Sequence, residues 1–415
     1  MSSTLLPEIS CNAGCTGCYM GDAFVRIGKS PRYDIEAMLA TAGARSEREK
    51  SQGASLHGGE ISLLPAKDLR RLVEGLLVRQ YPTVTLQTNA LTLTEEKMRM
   101  LASFNDKDNP GRVSVGVSLN GPKELNRDRR FGSIAQTDRA TERIHRNVER
   151  LRELSINVGI ITVLSKTNAD SMDKVLRLID WAKELGEHLG IWSFRFNPLG
   201  HHADKDPVTG ESMTCLTEEE LSVAWVRLAQ ETMADPRHDW LPFREFLDNL
   251  WGLGVQPCWV SGCDPYDTDA VYGINPDGSL SNCGRTAVDG FLYGRDGQQD
   301  DLRDQTLGQV PYPDGGCGGC RWWSVCHGGC PGEAVGGDWR NRSMFCGSYI
   351  RVYEFLERGM KGWLPNFEAR PDWNLPPEAQ QGITQRNPSR SPIQATFPGW
   401  SSHPSTWKQD ARRPR

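Results

Sequence analysis

Eleven of the twelve cysteines in this chain fall into two groups. Cys11, Cys15 and Cys18 lie within eight residues as C-x3-C-x2-C, in the stretch "ISCNAGCTGCYM". Eight more lie between positions 258 and 346, Cys215 stands alone, and none occurs from 19 to 214. Thiolates are soft ligands that suit zinc and iron–sulfur clusters. A structural zinc asks for four ligands and a disulfide for two. Three thiols suit a 4Fe–4S cubane, in which a fourth iron stays open to another molecule. A zinc site or ordinary thiols remain the alternative at this point.

The downstream spacing is more detailed. Cys263 precedes Gly278 by fifteen positions, and Cys283 closes "GSLSNC". C-x2-C-x5-C-x3-C follows at Cys317, Cys320, Cys326 and Cys330, then Cys346. Together with Cys258 these make two sets of four, for which two structural zinc sites are the competing reading. Nine of the thirty residues from 311 to 340 are glycine, so this stretch is expected to be held by ligands rather than by its own core.

The elements that must position these residues are legible before the cysteine-rich region. Strands are expected at 5–9, 54–58, 83–87, 112–119, 156–164 and 191–196. Between them, Leu69, Leu72, Val73, Leu76 and Leu77 share a helix face after Pro65. Met172, Val175, Ile179 and Ala182 share another, with Gly186 as its expected end. Six strands with helical crossovers imply a parallel sheet with its chemistry at the strands' C-terminal ends. Cys11, Cys15 and Cys18 then occupy the loop leaving strand one, where Gly14 and Gly17 favour a wrapped loop over a helix. Thr217 with Glu220 marks a capping box, and a second helix is expected around "FREFLDNLWGLG". From Leu364 the chain turns polar and proline-rich, reading as a disordered or extended tail.

The cysteine loop followed by Tyr19 resembles the signature of the radical S-adenosylmethionine superfamily. "HGGE" (Gly58, Gly59, Glu60), "QTNA" (87–90) and "SLNGP" (118–122) resemble that family's GGE, QTNG and SLDGP at successive strand ends. Ile61, Ala90 and Asn120 depart from its usual proline, glycine and aspartate. The resemblance implies a partial (β/α)6 TIM-like barrel and a 4Fe–4S cluster on Cys11, Cys15 and Cys18. S-adenosylmethionine would be contacted by Tyr19, Gly58, Gly59, Glu60, Ser118 and Asn120. It also implies reductive cleavage of S-adenosylmethionine to a 5′-deoxyadenosyl radical that takes a substrate hydrogen.

The downstream cysteines resemble the family's SPASM extension, which holds two auxiliary 4Fe–4S clusters. Carried over by position, Cys258, Cys263, Cys283 and Cys330 would hold the first, and Cys317, Cys320, Cys326 and Cys346 the second. The boundaries implied are a barrel at 1–215, a helical linker at 216–255, the SPASM domain at 256–350, a helix at 351–363 and a tail at 364–415. Eight ligands close both clusters, which points to electron transfer and an oxidative reaction. Relatives of this type act mostly on ribosomally made peptides, so a side-chain crosslink is the leading expectation. Dehydrogenation of a small molecule is the alternative, as is epimerisation with Cys215 as hydrogen donor. Gly284 and Arg285 stand where sulfatase maturases carry Asp, which disfavours formylglycine formation.

Asp264, Tyr266, Asp267 and Arg285 are the candidates for proton handling, with Asp264 and Arg285 foremost and loop structure as the plainer role. His327 is expected to donate a hydrogen bond beside a cluster, and His201 and His202 to be solvated. The expected partners are a peptide, bound directly or through a separate leader-binding protein, and a one-electron donor such as flavodoxin or ferredoxin. The net charge of −5 offers no electrostatic case for nucleic acid or anionic membrane. With no signal-like start and no long apolar run, the expected location is the cytoplasm.

Overall fold

The computed structural model describes residues 2–8, 10–16, 18, 32–49, 53–200, 214–252, 271–283, 302–337 and 340–363. By internal contact the chain divides into two compact units. The first comprises residues 1–191, 197–216 and 265–300; the second comprises 192–196, 217–264 and 301–415.

The first unit alternates strand and helix: β1 (Ser2–Glu8), α1 (Ile35–Glu49), β2 (Gly53–Gly58), α2 (Ala66–Val78), β3 (Val84–Thr88), α3 (Glu95–Ala102), β4 (Val113–Ser118), α4 (Ile134–Glu153), β5 (Asn157–Leu164) and α5 (Met172–Leu189). Neighbouring strands from β1 to β5 all pair in parallel. The register places Leu5, Leu56, Leu86, Val115 and Val158 in one row, each buried. One residue earlier the row is Thr4, Ser55, Thr85, Ser114 and Asn157, all half-buried. A one-residue slip would exchange these faces, so the apolar row fixes the register. Its opposite face is polar, unlike the branched apolar layers that fill a closed barrel.

All six expected strands are present, shifted by one to three residues. The sixth, β6 (Ser193–Pro198), has its central residues in the second unit and pairs in parallel with β7 (Asp239–Leu241). The fold is α/β with an open, mainly parallel sheet, the partial-barrel class expected. Three strands went unforeseen: β7, then β8 (Val271–Ile274), which pairs in parallel with β1, and β9 (Leu280–Asn282), which returns antiparallel to β8. The turn between β8 and β9 holds Gly278 at φ +82°, where an added Cβ would stand 2.8 Å from the Ala37 backbone of α1. That crowding and the left-handed backbone are why glycine occupies this spacing.

Helix α2 buries Leu69, Leu72, Val73 and Leu76 as expected, with Leu77 half-buried. Helix α5 runs past the expected stop at Gly186, which is buried within it, and ends at Gly190 in the left-handed conformation, φ +67°. The glycine that stops a helix is the one whose backbone can turn left-handed, which spacing alone does not reveal.

In the second unit α6 (Glu218–Ala234) begins at the Thr217–Glu220 capping box, followed by α7 (Phe243–Leu250), α8 (Leu302–Gln309) and α9 (Cys346–Trp363). Trp225, Phe243, Phe246 and Tyr349 pack edge to face among these helices, and Tyr353 lies tilted against Phe246. Gly359 lets α9 approach α6, since a Cβ there would meet Met233 Cε at 2.4 Å. Between 311 and 337 the backbone forms single helical turns and isolated bridges, Pro311 to Gly318 and Ala334 to Ser343. Among the described residues no helix is long and apolar enough to cross a membrane.

Candidate functional site

Cys11, Cys15 and Cys18 follow β1, each half-buried. Their loop is fastened through its backbone. Gly14 N–H donates to the Arg130 carbonyl at 2.7 Å, and Thr16 N–H to the Asp128 carbonyl at 2.8 Å. The segment that receives them follows β4 and is itself anchored, because the Asp128 carboxylate accepts from the hydroxyls of Ser165 and Thr167. Sequence reasoning missed this clamp. The charge-dense "NRDRR" (126–130) was its only visible signal.

The GGE and QTNA segments join the same loop. Glu60 N–H donates to the Ser10 carbonyl at 2.8 Å. The Glu60 carboxylate is buried and accepts from Ser62 N–H at 2.9 Å, Asn89 N–H at 2.7 Å and the Thr88 hydroxyl. It therefore welds the end of β2 to the end of β3. Asn89 Nδ2 reaches across to Asn12 Oδ1 at 2.7 Å and to Cys11 Sγ at 3.9 Å. Ala90, where the family has glycine, keeps the left-handed backbone at φ +59°. That costs a non-glycine residue about 1–2 kcal/mol. The Thr88 hydroxyl, which accepts from Ala90 N–H at 2.9 Å, and Asn147, which donates to its carbonyl at 2.7 Å, offset the strain.

Ser118 accepts a hydrogen bond from Gln87 Nε2 at 2.9 Å. Gly116 makes room for that glutamine, because a Cβ there would stand 2.2 Å from Gln87 Oε1. Asn120 is buried, and its amide oxygen accepts from Val163 N–H at 3.0 Å and Arg129 Nε at 3.2 Å. On β2, His57 Nδ1 accepts from Gly58 N–H at 2.7 Å, and burial holds its pKa below the usual value. Tyr19, Cys258, Cys263, Asp264, Tyr266, Asp267, Arg285, His201 and His202 lie outside the described residues, as does the expected tail.

Burial pushes the Cys11 thiol up to about 12, reinforced by Glu60, Cys15 and Cys18, and raises Cys15 as well, against the pull of Arg129. Burial thus disfavours the thiolate at Cys11 and Cys15, and thiolates there need cationic partners, as iron provides. Asn12 Nδ2 and Thr16 Oγ1 are buried without a hydrogen-bond partner. A Cβ on Gly14 would meet nothing within 4 Å. The soft donors and the unsatisfied polar atoms fit a bound cluster.

In the second unit Cys317, Cys320, Cys326 and Cys346 form one electrostatic group. Burial raises Cys317 to about 12 and Cys326 further, and each of the two is raised again by the other cysteines. Backbone turns set the spacing: Cys320 N–H donates to the Cys317 carbonyl at 3.0 Å and Cys346 N–H to Ser343 at 3.1 Å. Cys330 is buried in the same unit, while Cys283 is half-buried at the end of β9 in the first. His327 sits at φ +48° with its ring stacked on Trp323, centroids 5.1 Å apart. Among the described residues no three Cys, His, Asp or Glu side chains meet around the position of a single ion. A zinc ion draws its sulfurs to about 2.3 Å from one point, whereas each thiolate of a cubane takes a different iron. Cys215 is buried with Leu199 against Val163, and its thiol donates to the Gly200 carbonyl at 3.3 Å.

Residues 9–179 match the Radical SAM superfamily. This segment is a radical SAM domain, a type of domain that implies an enzyme with a 4Fe–4S cluster and S-adenosylmethionine. Two solved structures align over most of the chain. One is native anSMEcpe with bound AdoMet, at TM-score 0.65 and 18% identity, covering 88% of this chain and 100% of that one. The other is native anSMEcpe with bound AdoMet and Cp18Cys peptide, at TM-score 0.64 and 18% identity, covering 88% and 99%. At this identity the likeness is one of fold. No curated protein matches the sequence.

Proposed function

We propose that this enzyme cleaves S-adenosylmethionine reductively and oxidatively modifies a ribosomally synthesised peptide, forming a side-chain crosslink. The observation that carries the reading is the presence of two unlike thiol sets. Three cysteines occupy the strand-end loop of the first unit, and four mutually interacting ones lie in the second. In this reading Cys11, Cys15 and Cys18 hold the radical-generating cluster. Cys258, Cys263, Cys283 and Cys330 hold a first auxiliary cluster, and Cys317, Cys320, Cys326 and Cys346 a second. With cofactors bound, the three-cysteine site supplies a 5′-deoxyadenosyl radical for hydrogen abstraction, and the closed sets take up the electron the substrate gives up.

The chain's own residues divide the remaining work. Gly58 and Gly59 let backbone carbonyls approach the methionine ammonium, and Tyr19 is assigned to the same ligand. Glu60 holds the ends of β2 and β3 in register through its three donors. Ser118, oriented by Gln87, and Asn120, fixed through its amide oxygen, address the ribose and methionine ends. Asp264 and Arg285 are assigned to proton handling. The solved relative that carries a bound peptide supports a peptide partner. A flavodoxin or ferredoxin supplies the electron in the cytoplasm, and a separate protein can present the leader.

A second reading is dehydrogenation of a small molecule by the same radical. Anaerobic co-expression with the short reading frame beside the gene tests the proposal by intact mass spectrometry. A peptide lighter by two hydrogens, dependent on Cys11, Cys15 and Cys18, is expected. Uptake of one carbon-bound deuterium from deuterated water without mass loss would replace it by epimerisation. An unchanged peptide with turnover of a small polar alcohol would favour the second reading.

A further inference from the structure

Arg303 is 1% exposed, among the most buried large side chains of the second unit. From the first turn of α8 its guanidinium donates to the carbonyls of His327 at 3.0 Å and Gly329 at 3.0 Å, and approaches those of Gly328 and Asn341 at 3.4 and 3.5 Å. His327, Gly328 and Gly329 lie at φ +48°, +73° and +78°. Three successive left-handed residues turn their carbonyls toward the one cation, a conformation that only the glycines adopt without strain. The loop so held is the link between Cys326 and Cys330.

The same guanidinium borders a cysteine sulfur. An ideal Cβ on Gly328 would stand 3.4 Å from Arg303 Nη2 and 3.6 Å from Cys317 Sγ, so the two groups lie close to one point, which Leu307 Cδ1 crowds at 2.6 Å. Arg303 also acts electrostatically on both Cys317 and Cys326. A second arginine, Arg342, donates to the carbonyls of Tyr312 at 2.9 Å and Gly316 at 3.1 Å and lies half-buried over the Tyr312 ring. Charge in a low-dielectric interior acts more strongly than the same charge near water, and cluster potentials follow local charge and solvent exposure.

We propose that Arg303 is a positioning residue for the Cys317, Cys320, Cys326 and Cys346 site: it clamps the loop between Cys326 and Cys330 and raises the reduction potential of the cluster held there. The inference rests on the reading that these four cysteines carry a cluster. In the cell the electron reaching this cluster comes from the oxidised substrate. In the test it comes from dithionite, one electron per cluster.

The test is an anaerobic redox titration of the iron-loaded enzyme followed by electron paramagnetic resonance, with iron content measured alongside. Cys320→Ser identifies the signal belonging to this site. Arg303→Gln, which keeps amide donors and removes the charge, is expected to change the reduced-to-oxidised ratio at fixed potential at least tenfold toward oxidised. That is a midpoint lowered by about 59 mV or more. Arg303→Lys should stay near wild type, and the more exposed Arg342→Gln should shift less than Arg303→Gln. Equal midpoints for wild type and Arg303→Gln at full iron content would overturn the proposal alone. Should Arg303→Gln lose the cluster, retention by Arg303→Lys supports a need for the charge, and loss in both variants refutes it. An iron content untouched by Cys320→Ser would overturn the cluster reading itself.

Discussion

Glu60 separates two roles that the sequence left merged. Its motif suggests a carboxylate aimed at a ligand's ammonium, whereas the structure shows both oxygens engaged inside the protein. Glu60→Gln tests which role dominates. The amide oxygen of glutamine can still accept from Ser62 N–H and the Thr88 hydroxyl. Its NH2 then faces Asn89 N–H, donor against donor, where a 2.7 Å hydrogen bond stood. Losing one charge-assisted hydrogen bond costs about 1.5–3 kcal/mol, and stranding the buried donor adds about 1–3 kcal/mol. With partial relaxation a loss of about 3 kcal/mol is expected, or about 6–12 °C in the melting of a unit of this size. Thermal unfolding of the cofactor-free protein, followed by tryptophan fluorescence, reads this directly. S-adenosylmethionine affinity should fall together with stability, because the ends of β2 and β3 loosen together. A variant with wild-type melting and weakened S-adenosylmethionine binding would refute the internal role and restore Glu60 as a direct contact.

Gly116→Ala pushes its Cβ to 2.2 Å from Gln87 Oε1 and breaks the 2.9 Å bond that orients Ser118. Because the clashing atom ends a flexible side chain, the fold should survive. Loss of about 1 kcal/mol predicts roughly five- to tenfold weaker S-adenosylmethionine binding by equilibrium titration, and unchanged affinity would refute the link. Burial pushes Asp248 from its ordinary 3.8 up to about 7, against the pull of Arg244 and with Asp239 and Glu245 adding to the rise. Between those values the folded state binds more protons than the unfolded one, so this group's contribution to stability falls as pH rises through that window and is flat above it. Asp248→Asn should flatten the dependence in pH-resolved thermal unfolding, and an unaltered slope would count against it. Cys215→Ala is expected to leave product formation intact, since the thiol is spent on Gly200. Product lost while 5′-deoxyadenosine is still released would move the reaction to epimerisation.

What the sequence determined by itself is the local and periodic part. Strand alternation, the capping box at Thr217 and the apolar stripe of α2 follow from side-chain period and hydrogen-bonding type, which neighbours along the chain already specify. The cysteine spacings were legible for the same reason, since short loops limit what three or four thiols can share. Tertiary structure decided what distant segments do to one another. Nothing near Glu60 in sequence says that Thr88 and Asn89 consume its carboxylate. No motif marks Arg303 as the cation beneath the loop after Cys326, because its partners are carbonyls, which every residue carries. Whether Gly186 or Gly190 ended α5 turned on backbone conformation rather than residue type. The polar row opposite the buried Leu5–Leu56–Leu86–Val115–Val158 row became visible only with the register. Alternation can be read along one strand, but the alignment of five strands is set by packing across the sheet.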